Sequence, residues 1–205
     1  MDLKQRILQE SSQLLFSIGP AAMTMDMVAH SCGISKRTLY EQFPDKKSLI
    51  KECLIADHAE DEEEFRAIFE TADNCFDALF SVFYSVRKKL STTIMSFPDD
   101  MKRLYPDLHC SLTKESEHKH VMGLASVLSE AQEQGLVEKS INTQVASFLF
   151  FMSTHTIHRN KQIAEYGFTK IDVLDGAFIN FLRGVASAKG LELIDAYLQK
   201  NNTKQ

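Results

Sequence analysis

Between Ser35 and Phe43 the chain sets Lys36, Arg37, Thr38 and Tyr40 almost side by side: two cations, a hydroxyl and a phenol. Lysine and arginine neutralise phosphates, an arginine fork can pair with a guanine edge, and hydroxyl and phenol groups donate to phosphate oxygens. Carried on one face of a short helix, these side chains are equipped to enter the major groove of duplex DNA. Lys46 adds a further cation directly after Asp45, where a helix start would present its positive dipole end to a phosphate.

The neighbouring residues supply the elements that would hold this face in place. Thr24 can cap a helix of about two turns whose apolar positions Met25, Val28 and Ala29, with Cys32, fall on one side. Gly33 follows the last periodic residue, where a left-handed conformation is cheap only for glycine, and Ile34 can plug the angle between two helices. Ser35 caps the next helix, in which Leu39 and Phe43 face inward and Lys36, Arg37, Thr38, Tyr40 and Glu41 face mostly outward. Pro44 disfavours helix at Phe43, and Asp45 can cap a third segment beginning at Lys46.

Gly19, Thr24, Val28-Ala29, Gly33-Ile34-Ser35, Thr38-Leu39-Tyr40, Phe43, Lys46 and Leu49 together resemble the DNA-binding domain of the TetR family of bacterial transcriptional regulators. The resemblance implies an all-α fold: an N-terminal three-helix helix-turn-helix domain over residues 1–48 and a larger helical domain over 49–205 for effector binding and dimerisation. It further implies a homodimer on a palindromic operator in double-stranded DNA, acting as a repressor and released by a small apolar effector, with no cofactor. Carried over by position, Thr24 and Tyr40 would touch phosphates, Lys46 would hold a phosphate at its helix start, and Lys36, Arg37 and Thr38 would face base edges. Ser35 joins this DNA-facing set. Pro20 and the run Glu10-Ser11-Ser12 depart from the family pattern and bear on how the first helix packs. Arg37 stands where a small residue is common, and it can read a guanine or hold a phosphate.

Composition is compatible with such a role. The 205 residues are 44% hydrophobic with 8 Gly and 4 Pro, and the long stretches without strand-type alternation favour helices. Net charge is −5, but the first fifty residues hold six cations (Lys4, Arg6, Lys36, Arg37, Lys46, Lys47) against five anions (Asp2, Glu10, Asp26, Glu41, Asp45), which leaves −6 for the remainder. Positive charge therefore gathers at the motif although the whole chain is acidic. The acidic run Asp57, Glu60, Asp61, Glu62, Glu63, Glu64 reads as a solvated helix face. No apolar run reaches membrane-spanning length and MDLKQR lacks the features of a secretory signal, so the expected location is cytoplasmic.

Beyond the motif the pattern predicts helices with short joints. The first runs over about Leu3–Ser17, and a long one follows from Lys46 towards Ala72. Asp73 opens another that ends before Pro98, and a short helix covers 99–105. The next spans 112–134, closed by Gly135. Asn142 caps a strongly apolar helix to about 158, a further one starts near Asp172 and runs to about 187, and a tail helix covers 191–198. Helices 143–158 and 172–187 are apolar on more than one side, which calls for a second copy as partner.

Phe76, Phe80, Phe83, Tyr84, Phe97, Met101, Tyr105 and Met122 can either line an apolar cavity or fill the core, with Arg87, His109, His155 or Arg159 as polar contacts. Spacing is the same for a filled and a hollow core. His155 and His158 share a helix face but have no third ligand nearby, so no metal is expected. Cys32, Cys53, Cys75 and Cys110 show no paired spacing and are expected to be inert packing. Two alternatives remain: an all-α enzyme, for which no Gly-rich phosphate loop, H-E-x-x-H or G-x-S-x-G stands in the chain, and a helical interaction module whose helix-turn-helix does not bind DNA.

Overall fold

The chain opens with a reciprocal cap: Asp2 accepts from the Gln5 backbone N–H at 2.8 Å and the Gln5 side chain accepts from the Asp2 N–H, which starts α1 (Leu3–Ala22). In a computed structural model describing residues 2–94, 96–155, 157 and 162–202, the order continues through α2 (Met25–Ser31), α3 (Lys36–Gln42), α4 (Lys46–Thr71), α5 (Cys75–Thr92) and α6 (Phe97–Leu104). It then passes through α7 (Pro106–Glu133), α8 (Thr143–His155), α9 (Gln162–Glu165), α10 (Lys170–Val185) and α11 (Ala188–Asn202). The fold is all-α; among the described residues the extended pairing is a single bridge, Val137 to Ala186. No helix among them is long and apolar enough to cross a membrane.

Packing divides the chain into two units, Met1–Arg66 with Thr92–Leu112, and Ala67–Ser91 with Thr113–Gln205. The first unit therefore runs past the expected boundary at residue 48 and takes in α6, because the helix-turn-helix completes its core with residues from later in the chain. Met101 and Leu108 are buried beside Ile7, Leu15, Val28, Leu39, Phe43, Leu49 and Ile50.

One departure from the family pattern explains that recruitment. Gly19 breaks α1 with φ 82° and ψ 163°, and buried Pro20 has no N–H to give the Phe16 carbonyl one turn earlier. The Ile94 N–H donates to that carbonyl at 2.9 Å, and the Phe16 and Phe97 rings meet at 5.2 Å. The first helix consequently resumes beyond its expected end at Ser17. The other departures are absorbed as well. Glu10 accepts from the Ser31 hydroxyl at 2.5 Å, tying α1 to α2, and Ser11 is small enough to be fully buried.

In the second unit α5 lays Phe76, Phe80 and Phe83 against Leu128, Leu136, Phe178, Leu182 and Ile194. Phe150 of α8 stacks on Phe181 of α10 with ring centres 4.4 Å apart. Several helix starts differ from expectation by a few residues, each for a local reason. Asn74, not Asp73, accepts from the N–H groups of Phe76 and Asp77. Asp172 is the third residue of a capping box whose cap is Thr169. Pro106 begins α7 instead of ending the segment before it, since a proline costs a helix nothing in its first turn.

Three of the four cysteines are buried, and burial pushes the thiols of Cys53 and Cys75 up to about 11. Cys110 is exposed in α7, so the expectation of inert packing is corrected there. In the acidic run, Glu60 and Glu62 to Glu64 are exposed on α4.

Candidate nucleic-acid interface

The turn between α2 and α3 is fixed by short-range bonds. Thr24 Oγ1 accepts from the Met27 N–H at 3.2 Å and starts α2. At its end Gly33 turns left-handed with φ 63°, its N–H reaches His30 O at 3.0 Å, and the Ile34 N–H reaches Ala29 O at 3.0 Å. Arg6 of α1 donates to the Cys32 carbonyl at 3.0 Å, so α1 pins the corner of the turn. Ser35 Oγ then accepts from the Thr38 N–H at 3.1 Å and lies 2.9 Å from the Thr38 hydroxyl. A short helix is thus capped at its start and anchored beneath by Leu39 and Phe43, both wholly buried.

Its outer face carries Lys36, Arg37, Tyr40 and Glu41, all exposed, with Thr38 half-buried beside Ser35. The cations are held by neighbouring anions. Lys36 Nζ lies 2.6 Å from Asp26 Oδ2 of α2, and Arg37 Nε lies 3.1 Å from Glu41 Oε1 one turn on. Tyr40 is 49% exposed, so its phenol stands clear of the core.

At the start of α4 the Asp45 carboxylate accepts from the Ser48 N–H at 2.7 Å. The Ser48 N–H and hydroxyl hold the Asp45 carboxyl below the usual carboxylate range, with smaller help from Lys47. Because the folded-state pKa is depressed, the cap adds stability above the ordinary aspartate range and loses it as pH falls through the lowered value. A carboxyl titration followed by NMR should find Asp45 protonating below a model aspartate, and Asp45→Asn should flatten the acid limb of the thermal stability profile. A normal Asp45 titration would contradict the cap. Beside it, partial burial disfavours the charge on Lys46 and lowers its pKa. An anion arriving at this helix start would reverse that shift.

The residues considered for an effector cavity do not form a single cluster. Phe76, Phe80 and Phe83 sit in the second unit's core, where Phe80 stacks on Tyr197 at 3.9 Å and Phe83 on Phe178 at 4.0 Å. Tyr84 is exposed nearby, and Arg87 Nε bonds Asp175 at 2.9 Å. Phe97, Met101 and Tyr105 pack in the first unit, which also contains His109, half-buried in α7. Met122 is exposed on α7. The side chain of His155, together with His158 and Arg159, lies outside the described residues. A groove of about 420 Å³ opens elsewhere in the second unit, bordered by Ile68, Asp73, Asp77, Leu193, Tyr197 and Lys200.

Sequence reasoning missed Arg6 and Asp26, which touch the turn and α3 from neighbouring helices. Their signal was present only as charge in the first fifty residues, with no periodicity to give it a partner.

Residues 7–53 match the family model described as bacterial regulatory proteins, tetR family. Over its length the chain is 23% identical, across 186 residues, to the uncharacterized HTH-type transcriptional regulator YvaF of Bacillus subtilis (strain 168), covering 90% of this chain and 96% of that protein. It is 23% identical over 158 residues to the HTH-type transcriptional regulator UidR of Escherichia coli (strain K12), covering 75% and 79% respectively. Among solved structures, a TetR-family transcriptional regulator from Marinobacter aquaeolei VT8 superposes with a TM-score of 0.72 at 16% identity, covering 98% of each chain. A transcriptional regulator from Cytophaga hutchinsonii ATCC 33406 gives 0.71 at 14% identity, over 89% of this chain and 98% of that one. At such identities the structural likeness speaks for the fold.

Proposed function

We propose that this chain is a helix-turn-helix transcriptional regulator of the TetR type, the family whose model its residues 7–53 match, and that it binds a palindromic operator as a homodimer. The observation that carries the proposal is the division of α3 into a buried face, Leu39 with the following Phe43, and an exposed face of Lys36, Arg37 and Tyr40. A helix this short makes few base contacts, so discrimination requires two copies reading half-sites about 34 to 36 Å apart. Thr24, Ser35, Tyr40 and Lys46 serve the phosphates, and Lys36, Arg37 and Thr38 the base edges.

Dimerisation finds support in α8. Val145, Phe148, Leu149 and Met152 lie along one stripe of that helix and stay exposed, while Ser147 and Phe150 turn to the interior. On α10 the apolar residues Leu174, Phe178, Leu182 and Val185 go to the unit's own core and the exposed ones, Asp172, Gly176, Asn180, Arg183 and Gly184, are small or polar, so the second apolar side expected on both helices is present on α8 and not on α10. Repression and release by a small apolar effector rest on the family alone. In that role the effector acts away from residues 36–40 and changes the separation of the two α3 helices.

Selection of bound sequences from random duplex DNA tests the reading, and an inverted repeat is the expected outcome. Tyr40→Phe should keep fold and dimer while weakening operator binding by about 1 kcal/mol, the worth of one hydrogen bond. Lys46→Gln should reduce the slope of log affinity against log salt by about 1, as one lost phosphate contact predicts. Unchanged affinity in both variants, with no enriched sequence, would favour an interaction module.

A further inference from the structure

The two ion pairs on α3 leave different groups available. Lys36 offers a point charge already shared with Asp26, whereas Arg37 meets Glu41 through Nε alone. A guanidinium has five N–H donors, and engaging Nε leaves those on Nη1 and Nη2 at the outer end of the fork. The Arg37 side chain is 89% exposed, so that end faces solvent. Two parallel donors at a fixed spacing match O6 and N7 of guanine.

The place of the carboxylate decides between base and phosphate. A glutamate against the DNA backbone meets other anions, and this cost would fall on the phosphate-holding alternative for Arg37. On the floor of the major groove the same carboxylate can accept from the N4 amino group of cytosine. A neutral Arg–Glu pair therefore suits a G·C edge better than the phosphate rim. In water an exposed pair of this spacing adds little stability, and its value lies in restricting the arginine before docking.

We propose that Glu41 is a positioning residue that fixes the Arg37 fork for end-on reading of one guanine in each half-site. This rests on the reading that α3 enters the major groove.

The test is sequence selection followed by binding titrations with the full chain, its Glu41→Gln and its Arg37→Lys variants, each checked for helicity and oligomeric state. The wild type is expected to enrich an inverted repeat with guanine at one fixed position. Glu41→Gln should lower the preference for that guanine about twofold, the bias an exposed pair one turn apart can supply, while tightening binding to sites with the base changed, because an anion has been removed. Arg37→Lys should lose the preference by roughly tenfold with an unchanged salt slope, since charge is kept and the fork is not. If Glu41→Gln tightens binding to both sites equally, or leaves their ratio at the wild-type value, the positioning role is overturned while the groove reading stands. If the wild type enriches no site, both fall.

Discussion

Leu149→Glu is expected to yield a folded monomer that no longer binds an inverted repeat. Leu149 is 61% exposed in the isolated chain, so a glutamate there removes little from the core and should leave helicity near that of the wild type, while thermal unfolding loses only the stabilisation that association supplies. In the proposed dimer its position is very different. The stripe of Val145, Phe148, Leu149 and Met152 would face a second copy, and the two-fold axis would bury both new carboxylates in an apolar seam. An unpaired buried charge costs several kcal/mol, and each dimer would carry two. Sedimentation velocity should show the shift from dimer to monomer. Operator affinity should fall roughly 100-fold or more, because the second half-site contact is no longer intramolecular. A dimer that survives Leu149→Glu would place the interface elsewhere and remove the symmetric seam from the proposal.

The dependence on a second copy marks a boundary between what the residues disclosed and what they withheld. The helix-turn-helix was legible because its determinants act over a few positions: Thr24, Ser35 and Asp45 each bond an N–H three residues ahead, and Gly33 supplies the one left-handed corner of the turn. Leu39 and Phe43, four apart, could only face one way. The arms that reach this motif from α1 were not legible, since the contacts of Arg6 with Cys32 and of Glu10 with Ser31 depend on how two helices cross. Pro20 is the clearest case. In the sequence it reads as a misfit after Gly19, whereas in the fold it frees the Phe16 carbonyl for Ile94 and so draws α6 into the first unit.

The aromatic stripe of α5 shows a different limit. Phe76, Phe80 and Phe83 recur at helical spacing, which fixes the face but says nothing of what stands opposite. Tyr197 and Phe178, more than ninety residues further on, provide the stacking partners of Phe80 and Phe83. Phe97 and Tyr105, which the sequence groups with these residues around one cavity or core, pack in the other unit. Helix starts erred where two residues could serve as caps, as at Asp73 and Asn74, because either side chain can satisfy the same N–H groups and geometry selects one.

Gly190→Ala tests the least visible of these long-range contacts, the seam between α11 and the turn after α7. A methyl group at position 190 would stand 2.1 Å from the Leu136 carbonyl oxygen and 3.0 Å from the edge of the Phe76 ring. The first distance is far inside van der Waals contact and the obstacle is backbone, so no rotamer change relieves it. The surroundings are also tied down. Ser187 donates its N–H to Leu136 O at 2.9 Å and its hydroxyl to Gly135 O at 2.7 Å, accepts from the Gly190 N–H at 3.1 Å, and Lys189 donates to Gln134 O at 3.0 Å. To admit the methyl, α11 must withdraw and stretch these bonds together. Overpacking of this kind should cost about 3 kcal/mol, equivalent to a fall in Tm of roughly 6 to 12 °C for a chain of this size. Gly123→Ala provides the control: it lies within α7 with nothing closer than 4 Å to the added methyl, and alanine there should be neutral or stabilising by up to about 1 kcal/mol. Differential scanning calorimetry of the two variants separates close approach from a general intolerance of substitution. If Gly190→Ala melts with Gly123→Ala, the seam yields at no cost and α11 is held to the second unit by its apolar face, Leu191, Ile194 and Leu198, without the hydrogen-bonded turn.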